Sequence, residues 1–113
     1  MALEPIIDRV QAICTSIVSQ DVVLDKLTEN ESYTWHEITG INRTGATTTI
    51  EVGLKHGSEF FGYRAGAANA ADRSVRLFAL VVAPGYFVPC ARFKVAALGD
   101  LLELVVNGHP GHF

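Results

Sequence analysis

The stretch 73–95, RSVRLFALVVAPGYFVPCARFKV, constrains this chain more than any other. Two strongly apolar runs meet at Pro84-Gly85, where proline presets one φ and glycine tolerates a positive one, as a turn asks. Folding the runs together as a β-hairpin sets Val82 opposite Phe87, Leu80 opposite Pro89 and Phe78 opposite Ala91 on one face. The other face carries Val75, Leu77, Ala79 and Val81 against Val88, Cys90, Arg92 and Lys94. A ribbon serving one core alternates apolar and polar residues. From Leu77 to Ala83 this one does not, so both faces need cover.

The chain has 113 residues, which suits one domain, 1–113, around one core. Charged residues are 19%, below the ~25% usual for soluble domains, which points to apolar surface hidden against a partner. The expected assembly is a homodimer through the Val75–Val95 hairpin. A net charge of −3 with scattered Lys and Arg gives no footprint for nucleic acid. No apolar run approaches the ~18 residues of a membrane span, and Glu4 stands where a signal peptide wants positive charge. The expectation is a cytoplasmic chain without a membrane partner.

From Pro5, the residues Ile6, Val10, Ile13 and Ile17 recur at helical spacing, widened by Ile7, Cys14 and Val18. Ser19 or Asp21 caps a restart through Val22 to Leu27, giving one kinked helix or two consecutive ones. Three strands follow as a meander. With its first tip at Arg43-Thr44, Tyr33 faces Leu54, Trp35 faces Val52 and Glu37 faces Ile50; with a second at Gly57-Ser58, Leu54 faces Phe61 and Val52 faces Tyr63. Both turns deliver Tyr33, Trp35, Ile50, Val52, Leu54, Phe61 and Tyr63 to one face, while Ile38 and Phe60 fall on the other. Residues 65–72 read as a short helix or loop. Asp100 reads as the cap of a final helix, Leu101 to Val106, stopped by Asn107-Gly108.

The expected fold is therefore α+β: an N-terminal amphipathic helix packed on an antiparallel sheet of about five strands, plus a short C-terminal helix. The element order is similar to that of cystatin-like and NTF2-like domains, an analogy that rests on no motif.

No motif specifies a reaction, and nothing calls for a cofactor or metal. On the expected register Glu37 lies on the apolar face, where burial raises a carboxyl pKa and suits it to acid/base work or to anchoring a cationic ligand. His56 extends the same face to the rim. The candidate ligand-binding set is Tyr33, Trp35, Glu37, His56, Phe61 and Tyr63. Cys14 and Cys90 read as buried thiols, although Arg92 beside Cys90 is the kind of cation that activates one. His109 and His112 have chelating spacing on a terminal tail but lack further ligands. Gly62, Arg64 and Gly66 have the wrong spacing for a phosphate loop. Arg73, Arg76, Arg92 and Lys94 read as strand-end charges or as an anion site at the hairpin's open end.

Three functions are compatible. The first is non-catalytic binding of a small apolar or cationic ligand in an aromatic-lined pocket of a homodimer. The second is a protein-interaction module, such as an adaptor, chaperone or neutralising partner. The third is an enzyme using Glu37 with His56 or Cys90.

Overall fold

The helices expected at both ends are absent. The computed structural model describes residues 6–24, 27–28, 31–44, 47–69 and 72–111, and every regular element in it is a strand. Pro5 and His112 lie outside the described residues. In chain order the strands are β1 (Ile6–Ile13), β2 (Gln20–Val23), β3 (Ser32–Asn42), β4 (Thr48–His56), β5 (Glu59–Ala68), β6 (Ser74–Leu77), β7 (Val81–Pro84), β8 (Val88–Lys94) and β9 (Leu101–Pro110). The fold is all-β, not α+β.

Two antiparallel sheets pack face to face. Sheet A runs β1-β9-β3-β6, with β7 following β6 along the same side of β3; sheet B runs β2-β8-β4-β5. Between them lie Trp35, Ile38, Leu102, Leu104 and Val106 of sheet A and Val22, Ile50, Val52, Leu54, Ala91 and Phe93 of sheet B. The sheets come close at Gly40, where a Cβ would meet the side chains of Ile50 and Ala91.

The ends are strands because their apolar residues satisfy a period of two as well as the helical one. In β1, Ile6, Val10 and Ala12 face the core while Ile7, Gln11 and Ile13 face out; in β9, Leu102, Leu104 and Val106 face in while Leu101, Glu103 and Val105 face out. The β-branched Ile and Val side chains of β1 lose χ1 freedom in a helix and pack well on a pleated surface. β9 lies between β1 and β3 and supplies each with a ladder of hydrogen bonds that a helix would forgo. Asp100 caps no helix. Its Oδ2 accepts from the Ala97 N–H at 3.0 Å and from Asn42 Nδ2 at 2.9 Å, closing a turn.

The Val75–Val95 hairpin is also corrected. β7 pairs with β3 and β8 with β2 and β4, so Pro84-Gly85 carries the chain from one sheet to the other. Likewise β3 and β4, expected to pair, face each other across the core. The Gly57-Ser58 turn does join a hairpin: Gly57 has φ +60°, and Leu54 pairs with Phe61 as expected. One step further on, a bulge sets Val52 opposite Arg64 instead of Tyr63. Residues 65–68 continue β5, and no described residue lies in a helix, so none is long and apolar enough to cross a membrane.

Gly108, expected to stop a helix, sits inside β9 beside Trp35, where a Cβ would collide with the Thr34 carbonyl oxygen and the indole ring. Gly108→Ala is expected to cost about 1–3 kcal/mol, in the range of overpacked cores, and to lower Tm by at least about 4 °C. Thermal unfolding followed by circular dichroism measures it, and an unchanged Tm would contradict this placement of β9.

Candidate functional site

The six residues chosen from sequence separate into distinct places. Trp35 has no exposed surface and stacks on Tyr33 inside the core, ring centroids 5.8 Å apart at 12°. The Tyr33 hydroxyl accepts from the Thr28 N–H at 2.9 Å. A bulge at His36 breaks the alternation of β3, so Ile38 takes the inward position and Glu37 turns to the outer face of sheet A. There Glu37 accepts from the Thr39 hydroxyl at 2.7 Å. Glu37 is therefore not on the apolar face where it was expected. His56 and Phe61 do come together, through Phe87. Its ring lies 5.0 Å from His56, 5.8 Å from Phe61 and 5.0 Å from Tyr86. Tyr63 is the bulge residue of β5 and is 54% exposed.

Cys90 is fully buried yet lies on the outer row of sheet B, between Val23 and Gly53. Beside it stands an ion cluster in which Asp21 accepts from Arg92 Nε at 2.7 Å, Arg92 Nη2 at 3.0 Å and Lys55 Nζ at 2.7 Å. The Arg92 guanidinium also lies 4.6 Å from the centre of the Phe60 ring. Burial pushes the Cys90 thiol up to about 12, helped by the Asp21 charge and opposed by Lys55 and Arg92. Such a thiol is not a nucleophile at neutral pH. For Asp21, burial alone would raise the pKa, but hydrogen bonds from Arg92 and Lys55 and their charges outweigh it, holding the carboxyl below its ordinary value. Glu103, on the outer face of sheet A, repeats the pattern. Its burial is outweighed by hydrogen bonds from Arg43 at 2.6 Å and Gln11 at 2.6 Å, and by the charges of Arg43 and Arg9. Each outer face thus carries its main charges already matched.

The flank where β5 and β6 end the two sheets is different. β5 is ten residues long and, among the described residues, pairs with one strand only, β4. Between its edge and β6 opens a cleft of about 450 Å³ lined by Arg64, Gly66, Asp72, Ser74, Arg76 and Phe78. Arg9, Arg43, Lys55, Arg73, Arg92 and Lys94 each have an acceptor or counter-ion. Among the described residues Arg64 and Arg76 have neither, and both line this cleft. Asp72 spends its Oδ1 on the N–H and hydroxyl of Ser74. Along the same side of sheet A, Phe78 is 68%, Leu80 63% and Val82 54% exposed. A second apolar group, Ile17, Val18, Val95 and Leu98, sits on adjoining loops, joined where the Val95 N–H donates to the Ile17 carbonyl.

In the sequence Arg64 belongs to a glycine pattern with the wrong spacing for a phosphate loop, and Arg76 to a separate cluster of strand-end charges or an anion site. Their convergence depends on β5 and β6 lying across from each other, which no periodicity signals. Arg92 and Lys94, grouped with Arg76 from sequence, belong instead to sheet B. Glu37, His56 and Cys90 occupy three separate surfaces. No group of three or more His, Cys, Asp or Glu among the described residues could hold a metal ion. No protein-family model, curated protein or solved structure matches the chain.

The native thiols are expected to resist a disulfide reagent at pH 8 and to react fully in denaturant; rapid reaction of the folded protein would contradict the Cys90 environment. A carboxyl held low in the folded state contributes stability above its ordinary value of ~3.9 and loses it as pH falls through the lowered native value. Asp21→Asn should therefore cost about 1–3 kcal/mol at pH 7 by urea denaturation, with the gap from the parent closing below about pH 4. A gap that does not change with pH would refute the ion cluster.

Proposed function

We propose that this chain is a non-catalytic protein-interaction module that takes an extended segment of a partner protein along the open edge of β5. The observation carrying this reading is the flank itself: a ten-residue edge strand beside a cleft with two unmatched arginines. An edge strand presents alternate N–H and C=O groups outward, and an added strand satisfies them while side-chain pockets supply selectivity. Phe78, Leu80 and Val82, the apolar excess first assigned to a hairpin dimer, border the same flank and offer cover to the docked segment.

The alternative of a small ligand beside Trp35 has less support, because Trp35 fills the core and neither Tyr33 nor Trp35 lines the cleft. For an enzyme, the separation of Glu37, His56 and Cys90 leaves no nucleophile, base and orienting group within reach of one another.

The test places a photo-crosslinking phenylalanine analogue at Tyr63, with Leu98 as the control position. The Tyr63 variant is expected to capture a specific protein that the Leu98 variant does not, and that protein should slow amide exchange in β5 while leaving β1 unchanged. An adduct made only of two copies of this chain, or protection confined to other strands, would overturn the reading.

A further inference from the structure

We infer that the segment received by β5 is acidic, with a large apolar side chain two positions from a glutamate or aspartate. This rests on strand addition at β5 and specifies the chemistry of the partner.

Five of the described Lys and Arg side chains have a carboxylate partner, Arg73 donates to the Arg43 carbonyl oxygen, and the two with neither share one cleft. The carboxylate in that lining, Asp72, is held by its own turn. A guanidinium offers five donors in a planar fork suited to a carboxylate, and two such groups at one cleft favour an anionic side chain over a neutral one. A second copy of this chain is a poor occupant. An isologous contact at this flank would bring the Arg64 and Arg76 pairs of both copies together.

Spacing follows from the bulge. Phe61 pairs with Leu54 and Arg64 with Val52, so three steps along β5 cover two steps along the regular strand β4. Phe61 and Arg64 consequently share one side of β5, separated by the length of two regular residues, about 7 Å. Phe61 belongs to the ring group of Phe87, His56 and Tyr86, whereas Arg64 lines the cleft together with Arg76. An unbulged strand laid along β5 therefore sets one side chain against the rings and another, two residues away, against the arginines.

The experiment uses blocked peptides of alternating threonine and valine carrying one phenylalanine and, two places on, one glutamate, made with either order of the two. A matched set replaces the glutamate with lysine. Binding to the full chain is followed by amide chemical shifts. Expected are shifts concentrated in β5 and β6 with one order of the glutamate peptide, and binding at least about tenfold weaker for its lysine counterpart. In the Arg64→Glu/Arg76→Glu variant, checked for an unchanged Tm, the preference should invert. Equal binding of glutamate and lysine peptides at β5 would remove the acidic specificity while leaving strand addition intact. Absence of shifts in β5 with every peptide would overturn both. A concentration-dependent dimer whose β5 amides are already protected would assign the flank to self-association and overturn this inference.

Discussion

Strand β3 ties the molecule together. It pairs with β9 on one side and with β6 and β7 on the other, and its inner residues Trp35, Ile38 and Gly40 meet the opposite sheet. Because β3 lies in one sheet and both its sequence neighbours, β2 and β4, lie in the other, the chain must cross the core on entering and on leaving it. The same crossing recurs from β1 to β2, β5 to β6, β7 to β8 and β8 to β9. Chain neighbours are stacked more often than paired, and most ladder partners are distant in sequence. The flank formed by β5 and β6 follows from this path. The chain leaves sheet B at its last strand and re-enters sheet A at its last position, so neither edge acquires a further strand.

Natural sandwiches blunt such edges by shortening them, charging them or bending them. β2, at the other edge of sheet B, has four residues, and the Gln20 side chain holds its approach by accepting from the Thr15 N–H at 2.7 Å and donating to the Ile13 carbonyl at 3.0 Å. β5 is longer than β2 and contains neither lysine nor proline. The outer faces are closed by a different means. Asp21 with Lys55 and Arg92, and Glu103 with Arg9, Arg43 and Gln11, spend their charges within the chain, whereas among the described residues Arg64 and Arg76 have no such partner.

What the sequence disclosed was burial, more than pairing. Of the seven residues expected on one apolar surface, Tyr33, Trp35, Ile50, Val52 and Leu54 are in the core, because alternation reports which way a side chain points whatever strand lies alongside. Phe61 and Tyr63, by contrast, are exposed, and Ile38, expected on the other face, is buried. The partner strands were assigned from turns, and a turn residue does not say whether the chain doubles back within a sheet or arches over to the other one. Arg43-Thr44 and Pro84-Gly85 both arch; Gly57-Ser58 doubles back. The ends read as helices because Ile6, Val10 and Ile13 recur at helical spacing, yet Ile6, Val10 and Ala12 of β1 and Leu102, Leu104 and Val106 of β9 also fit a period of two, and that is the set turned inward. The arbiter between the periods was a partner strand roughly the whole chain away, which local pattern does not contain.

The placement of candidate site residues depended on two single-residue irregularities. At His36 the bulge transfers the inward position from Glu37 to Ile38, converting a presumed buried carboxyl into an outer-face acceptor and bringing His36 within 5.1 Å of the His109 ring. At Tyr63 the bulge moves Arg64 into the place opposite Val52. Without it, Tyr63 would hold that place and Arg64 would alternate to the other side of the strand, away from Arg76. Counting residues by twos cannot reveal either shift, since each consists of the count failing once. A bulge leaves its extra residue unpaired, bends the strand and re-aims what it carries. The bulge in β5 sets a cation, Arg64, and an aromatic ring, Phe61, on the same side of the strand at the spacing of two regular residues, and the proposed strand addition draws its selectivity from that spacing.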